Sequence, residues 1–365
     1  MFVTSLGMAG LDDHIGNIVG RDGMPGIAYV HFDPVRVIEE RYAGKADIAT
    51  GRPVDAGTGF HGFSTTKTMT ALAVLQLVRK GVIDLDSRAK DLLPTMPYAG
   101  DIRIRHLLTH TAGLPNPLPL AWVHDPSERT FDRDAFFARI FKRHDRVRCA
   151  PGERYAYSNL GYILLGQLIE RVTGLRYETV VEQRILIPTG ATSDELGFAR
   201  ALSGSHATGY LRSPSLLSFV LPFMVDTDRL MGERTGRWRS FHPFLVNGAS
   251  YGGIIGTATG FRAYLQALMR GSVLVDDAGR ELLFRENRTK DGKRTGMAMG
   301  WFTGTLHGER YVAHAGGGGG YYAEIRLYPD LGRGSALLFN RTGVADERAL
   351  DRFDAHMLAP LDQNQ

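Results

Sequence analysis

The sequence predicts an α+β protein: one antiparallel sheet drawn from both ends of the chain, flanked by helices, with a mostly helical region inserted between. Three observations predict it. β-rich runs cluster near the N-terminus and again in the last third of the chain. The turns joining them are too short for crossover helices, so neighbouring runs pair antiparallel. Helical periodicity fills the middle, with no internal repeat or low-complexity tract.

The elements follow in order. "GIAYVHFDPVRVIEERYAG" (26–44) holds two β-rich runs around Asp33-Pro34, a hairpin signal. Helical patterns cover 65–80, 131–146, 159–173, 176–185 and 259–270, and "LLTHTAGLPNPLPLAW" (107–122) is a Pro/Gly-rich loop among them. "ERYVAHAG" reads as a strand, and "YYAEIRLYPDLGRGSALLFN" as two more joined at 329–332. In the first of these two, Ala323, Ile325 and Leu327 alternate with Glu324, Arg326 and Tyr328, which predicts one buried and one outer face. The expected division is a sheet-containing domain from 1–66 and 245–365, and a mostly helical domain from 67–244 with a lid-like segment at 211–243. The cleft between two such layers is the expected site.

Composition narrows the function classes. The 365 residues are 43% hydrophobic and 22% charged with a net charge of +4, ordinary globular values that permit a sizeable core. The most basic stretch, "ERTFDRDAFFARIFKRHDRVR" (128–148), has Phe131, Ala135, Phe136, Ile140 and Phe141 at helical spacing, so it reads as a solvated amphipathic helix and not a nucleic-acid or membrane surface. Cys149 is the single cysteine, so no intramolecular disulfide forms, and its "RVRCAPGE" setting is a helix end running into a turn. The N-terminus lacks a basic region followed by a long apolar run, and the longest apolar run, "LLSFVLPFMV" (216–225), is too short for a membrane span. A cytoplasmic protein is the expectation. The sequence sets no oligomeric state.

The chemistry concentrates in "GTGFHGFSTTKTMTALAVLQLVRKG" (57–81). Its Gly57-x-Gly59-x-x-Gly62 fits a dinucleotide turn, but the preceding "ADIATGRPVDA" is a poor buried strand, and only Val82 and Ile83 stand before Asp84 where a second strand should lie. Ser64 and Lys67 behave better. They sit one turn apart at the head of a helix that is apolar nearly all round and stops at Gly81. Burial lowers a lysine pKa, and an uncharged Lys67 beside Ser64 is a general base. The plainer alternative makes Ser64 an N-cap and lets Lys67 snorkel to solvent.

Two more signatures support the first alternative. In "PGERYAYSNLGYILLGQLIERVTG", Tyr157 and Asn159 stand at i and i+2 before a helix, a spacing that faces both toward one cleft. A phenol that shuttles a proton and an amide that holds a lysine or a substrate carbonyl suit acyl transfer. "YVAHAGGGGGYY" puts His314-Ala315-Gly316 at a strand end, with glycines that let a substrate lie along the edge and offer N–H groups to an oxyanion.

These signatures, together with "LLTHTAGLP", "YGGIIGTATGFRAYL" and "HAGGGGGYYAEIRLYPD", resemble the serine β-lactamase and penicillin-binding protein-like superfamily over residues 26–340, class C β-lactamases and related esterases and D-amino-acid peptidases above all. The resemblance implies a β-lactamase/transpeptidase-like fold and an acyl-enzyme mechanism. It implies Ser64 as nucleophile, Lys67 as base, Tyr157 as proton relay, Asn159 as orienting amide, and the N–H groups of Ser64 and Gly317 as oxyanion hole, with His314 and Gly316 beside the substrate. It implies a small ester, amide or β-lactam substrate, and the chemistry requires no cofactor and no metal. The departure is the third motif. His314-Ala315-Gly316 replaces a Lys-Thr-Gly that would hold a substrate carboxylate, which points to ester or amide hydrolysis. Whether His314 donates to substrate or is a hydrogen-bonded structural imidazole stays open, as does whether 216–225 receives an acyl chain or packs as core.

Rival motifs are weaker. "GASYG" (248–252) fits a nucleophile elbow with Ser250, His314 and Asp276 in chain order, but "YGGIIGTATG" is too glycine-rich for the helix that must follow. "HLLTH" spaces His106 and His110 for a metal but lacks the glutamate of a zinc protease. A ligand sensor that is acylated without turnover is the non-enzymatic reading.

Overall fold

The computed structural model describes residues 3–20, 23–128, 131–198, 204–342 and 348–358. Positions 129–130 of the basic stretch and 199–203 of the region of resemblance lie outside them. Six strands form the main sheet: β1 (Gly26–Phe32), β2 (Val37–Gly44), β3 (Phe302–Leu306), β4 (Glu309–Gly318), β5 (Tyr321–Tyr328) and β6 (Arg333–Phe339). Their order is β3-β4-β5-β6-β1-β2, every neighbouring pair antiparallel. The two ends of the chain meet at β1 and β6, where Ile27 faces Phe339 and Val30 faces Ala336. The α+β expectation is met.

The helices used below are α1 (Val3–Gly20), α2 (Thr66–Arg79), α3 (Arg133–Arg143), α4 (Asn159–Thr173), α5 (Ala258–Met269) and α6 (Leu350–Leu358). α2 is buried at every position from Thr66 to Leu75, as its all-round apolar pattern predicts. Ala28, Val30 and Phe32 on one sheet face join Ile325 and Leu327, α2, α4 and α5 in one large core. α3 meets that core through the buried Phe137 and Phe141, and the expected polar face looks outward.

The expected outer face of β5 is corrected. All eight of its residues are buried, and Glu324 and Arg326 are 0% exposed. The terminal helices α1 and α6, which the sequence reading did not foresee, cover that face through Leu11, Ile15, Leu350 and Phe353. Charge can sit there because it is paired. Arg326 reaches Glu324 at 2.8 Å and Asp351 at 2.7 Å, while Asp354 accepts from Tyr328, Tyr29 and Ser335. Burial nonetheless pushes the Glu324 carboxyl up to about 7.

Residues 211–243 form three short strands and three short helical segments around a small core of Leu211, Leu221 and Met231. Leu216, Phe219 and Phe223 project outward at 82, 73 and 82% exposure. The apolar run therefore neither joins the main core nor lines the cleft described next.

Candidate active site

The chain reaches the site through a tight turn. Phe63 adopts φ 45°, a left-handed value costly for a bulky residue. Hydroxyls hold the turn in place: Thr65 donates to the Gly62 carbonyl at 3.0 Å, Thr66 to the Phe63 carbonyl at 2.6 Å, and Ile254 N–H donates to Thr66 Oγ1 at 3.0 Å. A 3-10 turn over Phe63–Thr65 then feeds α2. Ser64 caps nothing: the N-cap positions here are Gly62 and Thr65, neither with a side-chain cap.

Lys67 is 0% exposed. Its Nζ lies 2.9 Å from Ser64 Oγ and donates to the Tyr251 carbonyl at 2.7 Å. The rings of Tyr157, Tyr251 and Tyr162 surround it at 5.0, 5.4 and 5.6 Å to their centroids. No carboxylate among the described residues compensates the burial, so desolvation holds the amine well below its ordinary 10.5. An uncharged amine donates to the carbonyl and keeps a lone pair for the serine proton.

Tyr157 donates to Ser64 Oγ at 3.0 Å from the other side. It stands just ahead of α4, whose N-cap Ser158 accepts from Gly161 N–H at 3.3 Å and donates to the Pro115 carbonyl at 2.8 Å. Asn159 begins that helix, 6% exposed, with its N–H on Asn116 Oδ1 at 3.0 Å and its own Oδ1 buried without a partner among the described residues. The expected Asn159–Lys67 contact is absent from the hydrogen bonds of the described residues; the Tyr251 carbonyl takes that place.

β4 forms the opposite wall. Its pairing with β3 ends at Phe302–Ala313, so 314–318 pair with β5 alone among the described strands and leave one edge to the cleft. Gly316 is where the strand meets the turn: a Cβ there would lie 2.4 Å from the Gly62 carbonyl oxygen and 2.5 Å from Ser64 N. Ser64, Tyr155, Tyr157, Phe302, Ala315, Gly316, Gly317, Gly318, Tyr321, Tyr322 and Thr342 line a cavity of about 660 Å³.

His314 is not on that wall, which corrects the expectation of substrate contact. It is 0% exposed, since alternation along β4 turns its side chain into the core. Nδ1–H donates to the Gly300 carbonyl at 2.8 Å, and the ring lies 5.1 Å from Phe302 and 6.3 Å from Tyr157. Burial, with Lys67 nearby, pulls its pKa down to about 3, so the imidazole is neutral.

The rival motifs are not assembled. Ser250 is 4% exposed and packs against Gly166 of α4, while Asp276 caps a different helix and pairs with Arg79. Among the described residues no group of three or more His, Cys, Asp or Glu is placed to hold a metal, and no helix is long and apolar enough to cross a membrane. Sequence reasoning missed the Tyr251 carbonyl, the strained Phe63 and the contacts of His110. A backbone acceptor and a backbone angle carry no side-chain signature.

A nucleophilic hydroxyl between a desolvated amine and a phenol, at the seam of an antiparallel sheet and a helical layer, defines a serine hydrolase. The chain belongs to the Beta-lactamase family, whose model matches residues 11–358. It is 27% identical over 328 residues to a penicillin-binding protein of Bacillus subtilis (strain 168), covering 86% of this chain and 68% of that one. It is 32% identical over 192 residues to Esterase EstB of Burkholderia gladioli, 48% of this chain and 47% of the esterase. The D-amino acid amidase of Ochrobactrum anthropi SV3 superposes with TM-score 0.76 over 98% of this chain and 99% of its own, at 20% identity, which is a likeness of fold.

Proposed function

We propose that this protein hydrolyses small uncharged carboxylic esters or amides through an acyl-enzyme on Ser64. The supporting observation is the cleft wall: among the described residues that line it there is no Lys or Arg, Ala315 offers no hydroxyl, and the neutral His314 stands behind the wall. A substrate carboxylate would leave water without a partner, which is costly.

In this reading Ser64 Oγ attacks the carbonyl carbon and its proton passes to Lys67 Nζ. The N–H groups of Ser64 and Gly317 take the charge that develops on the carbonyl oxygen. Tyr157 delivers a proton to the departing oxygen or nitrogen, and later draws one from the water that attacks the acyl-enzyme. Asn159 orients the acyl side of the substrate, and the Gly316 backbone fixes the distance between strand and serine. A cytoplasmic setting belongs to this reading, and cell fractionation checks it.

Steady-state kinetics with p-nitrophenyl butyrate, an N-acetyl-D-amino-acid amide and nitrocefin test the assignment. The expected order of kcat/KM puts the neutral ester or amide above nitrocefin. A nitrocefin value well above both would overturn the substrate class. A stable Ser64 adduct by mass spectrometry, without multiple turnovers, would replace the hydrolase with a sensor.

A further inference from the structure

The loop after the short helix Ile104–Leu108 carries His110, a residue outside both the Ser64-Lys67-Tyr157 cluster and the cleft lining. Its backbone takes φ 53°, a left-handed value that costs a histidine about 1–2 kcal/mol, and its side chain is 2% exposed. What the strained position achieves is a triple hold on one stretch of chain. Ala156 N–H donates to the His110 carbonyl at 2.7 Å. Ser158 N–H donates to His110 Nδ1 at 3.1 Å. Between these two bonds the Tyr157 ring lies against the imidazole, centroids 4.3 Å apart and planes at 32°. The Tyr162 ring also packs against the imidazole at 5.0 Å, and Tyr162 is itself tied to the Leu108 carbonyl at 2.8 Å.

Because Nδ1 accepts, the neutral imidazole carries its proton on Nε2. Burial keeps it neutral, helped by Lys67 and His314 nearby. A cationic ring would lose the acceptor that Ser158 uses.

We propose that His110 is a positioning residue that fixes the Tyr157 phenol against Ser64 Oγ, so that the leaving group receives its proton. This rests on the reading of Tyr157 given above. Removing the imidazole frees the Tyr157 ring on one face while Ser64, Lys67 and the β4 edge stay in place. The damage therefore falls on proton delivery and not on nucleophilic attack.

Leaving-group dependence separates these steps. p-Nitrophenolate departs without a proton, whereas an alkoxide needs one. Wild type, His110→Asn, His110→Gln and Tyr157→Phe are compared on p-nitrophenyl butyrate and ethyl butyrate, with active sites counted by fluorophosphonate labelling of Ser64. Asparagine tolerates the left-handed backbone and offers an amide oxygen to Ser158 N–H, but has no ring. The expected loss per active site in both His110 variants is about 100-fold in kcat/KM for ethyl butyrate, and at least about tenfold less in kcat/KM for p-nitrophenyl butyrate, because kcat/KM reports acylation and leaves out the deacylation step that the two esters share. Tyr157→Phe shows the same bias, and adding His110→Asn to it brings no further bias. A merely destabilised chain loses both activities equally, or none once active sites are counted, and either outcome overturns the proposal. A wild-type protein that is neither labelled by the fluorophosphonate nor active on either ester removes the hydrolase reading itself, and the role of His110 with it.

Discussion

Lys67 Nζ stands 2.9 Å from Ser64 Oγ, with no carboxylate among the described residues to hold it charged. That relationship makes the first prediction. Lys67→Met keeps an unbranched side chain one heavy atom shorter and removes the amine lone pair. The expected fall in kcat/KM on the best ester is about 10³-fold or more, since a positioned base contributes roughly 10²–10⁴. Ser64→Ala abolishes turnover altogether. Ester hydrolysis near the wild-type rate in either variant would refute the assignment.

The same variant predicts a pH effect on stability. In the unfolded chain Lys67 holds its proton up to 10.5, while burial makes the native chain release it well below that. Between these values the unfolded state binds more protons, so wild-type stability rises with pH. Lys67→Met has no proton to lose. Its stability relative to wild type should be greatest at low pH and shrink as pH climbs toward 10.5. Urea unfolding at pH 6.5 and 9.5 measures the difference, and a variant that gains on wild type as pH rises contradicts the sign.

How much of this was legible depended on range and periodicity. Ser64 and Lys67 are three apart on one helix, so helical geometry alone puts hydroxyl and amine side by side, and the apolar pattern of Met69–Val78 announces burial. The β5 alternation was legible too, but it predicted a solvent face that α1 and α6 in fact cover. The cover was hidden because its underside is polar: Glu324, Arg326 and Asp354 read as surface residues until their pairing is seen. The sequence offers His110 only as half of a weak metal-spaced pair. Its true partners, Tyr157 and Ser158, are tens of residues away, and nothing in "HLLTH" encodes them.

Gly316 and Gly317 should respond oppositely to alanine. A Cβ on Gly316 runs into the backbone of Gly62 and Ser64 at 2.4 and 2.5 Å, and backbone cannot swing aside. At Gly317 the nearest atoms are the Tyr321 carbonyl oxygen at 3.6 Å and the Tyr322 ring at 3.7 Å, ordinary contact distances. Gly316→Ala is expected to lose about 1–3 kcal/mol of stability and to slow fluorophosphonate labelling of Ser64, because the nucleophile is displaced. Gly317→Ala should melt within about 0.5 kcal/mol of wild type. Equal melting temperatures and labelling rates for the two variants would show that β4 and the Ser64 turn are not in contact.

His314 predicts the acid limb of stability. Its imidazole titrates at 6.5 when free, and burial beside Lys67 holds it down to about 3 in the folded chain, against the opposing pull of its bond to the Gly300 carbonyl. Between pH 6.5 and 3 the unfolded chain therefore binds a proton that the native chain refuses. Stability is lost as pH falls through that window, by about 1.4 kcal/mol for each unit of displacement. His314→Asn places an amide N–H near the position of Nδ1, keeps a donor for Gly300 and removes the titration. The variant should be less stable than wild type at pH 7, since it leaves a gap beside Phe302, by about 1–3 kcal/mol. Its stability should then fall less steeply on acidification, so that the two curves converge as pH drops below 6. Urea midpoints at half-unit intervals from pH 7.5 to 4.5 follow both curves. Parallel curves would mean that the imidazole takes up its proton in the folded chain at an ordinary pH.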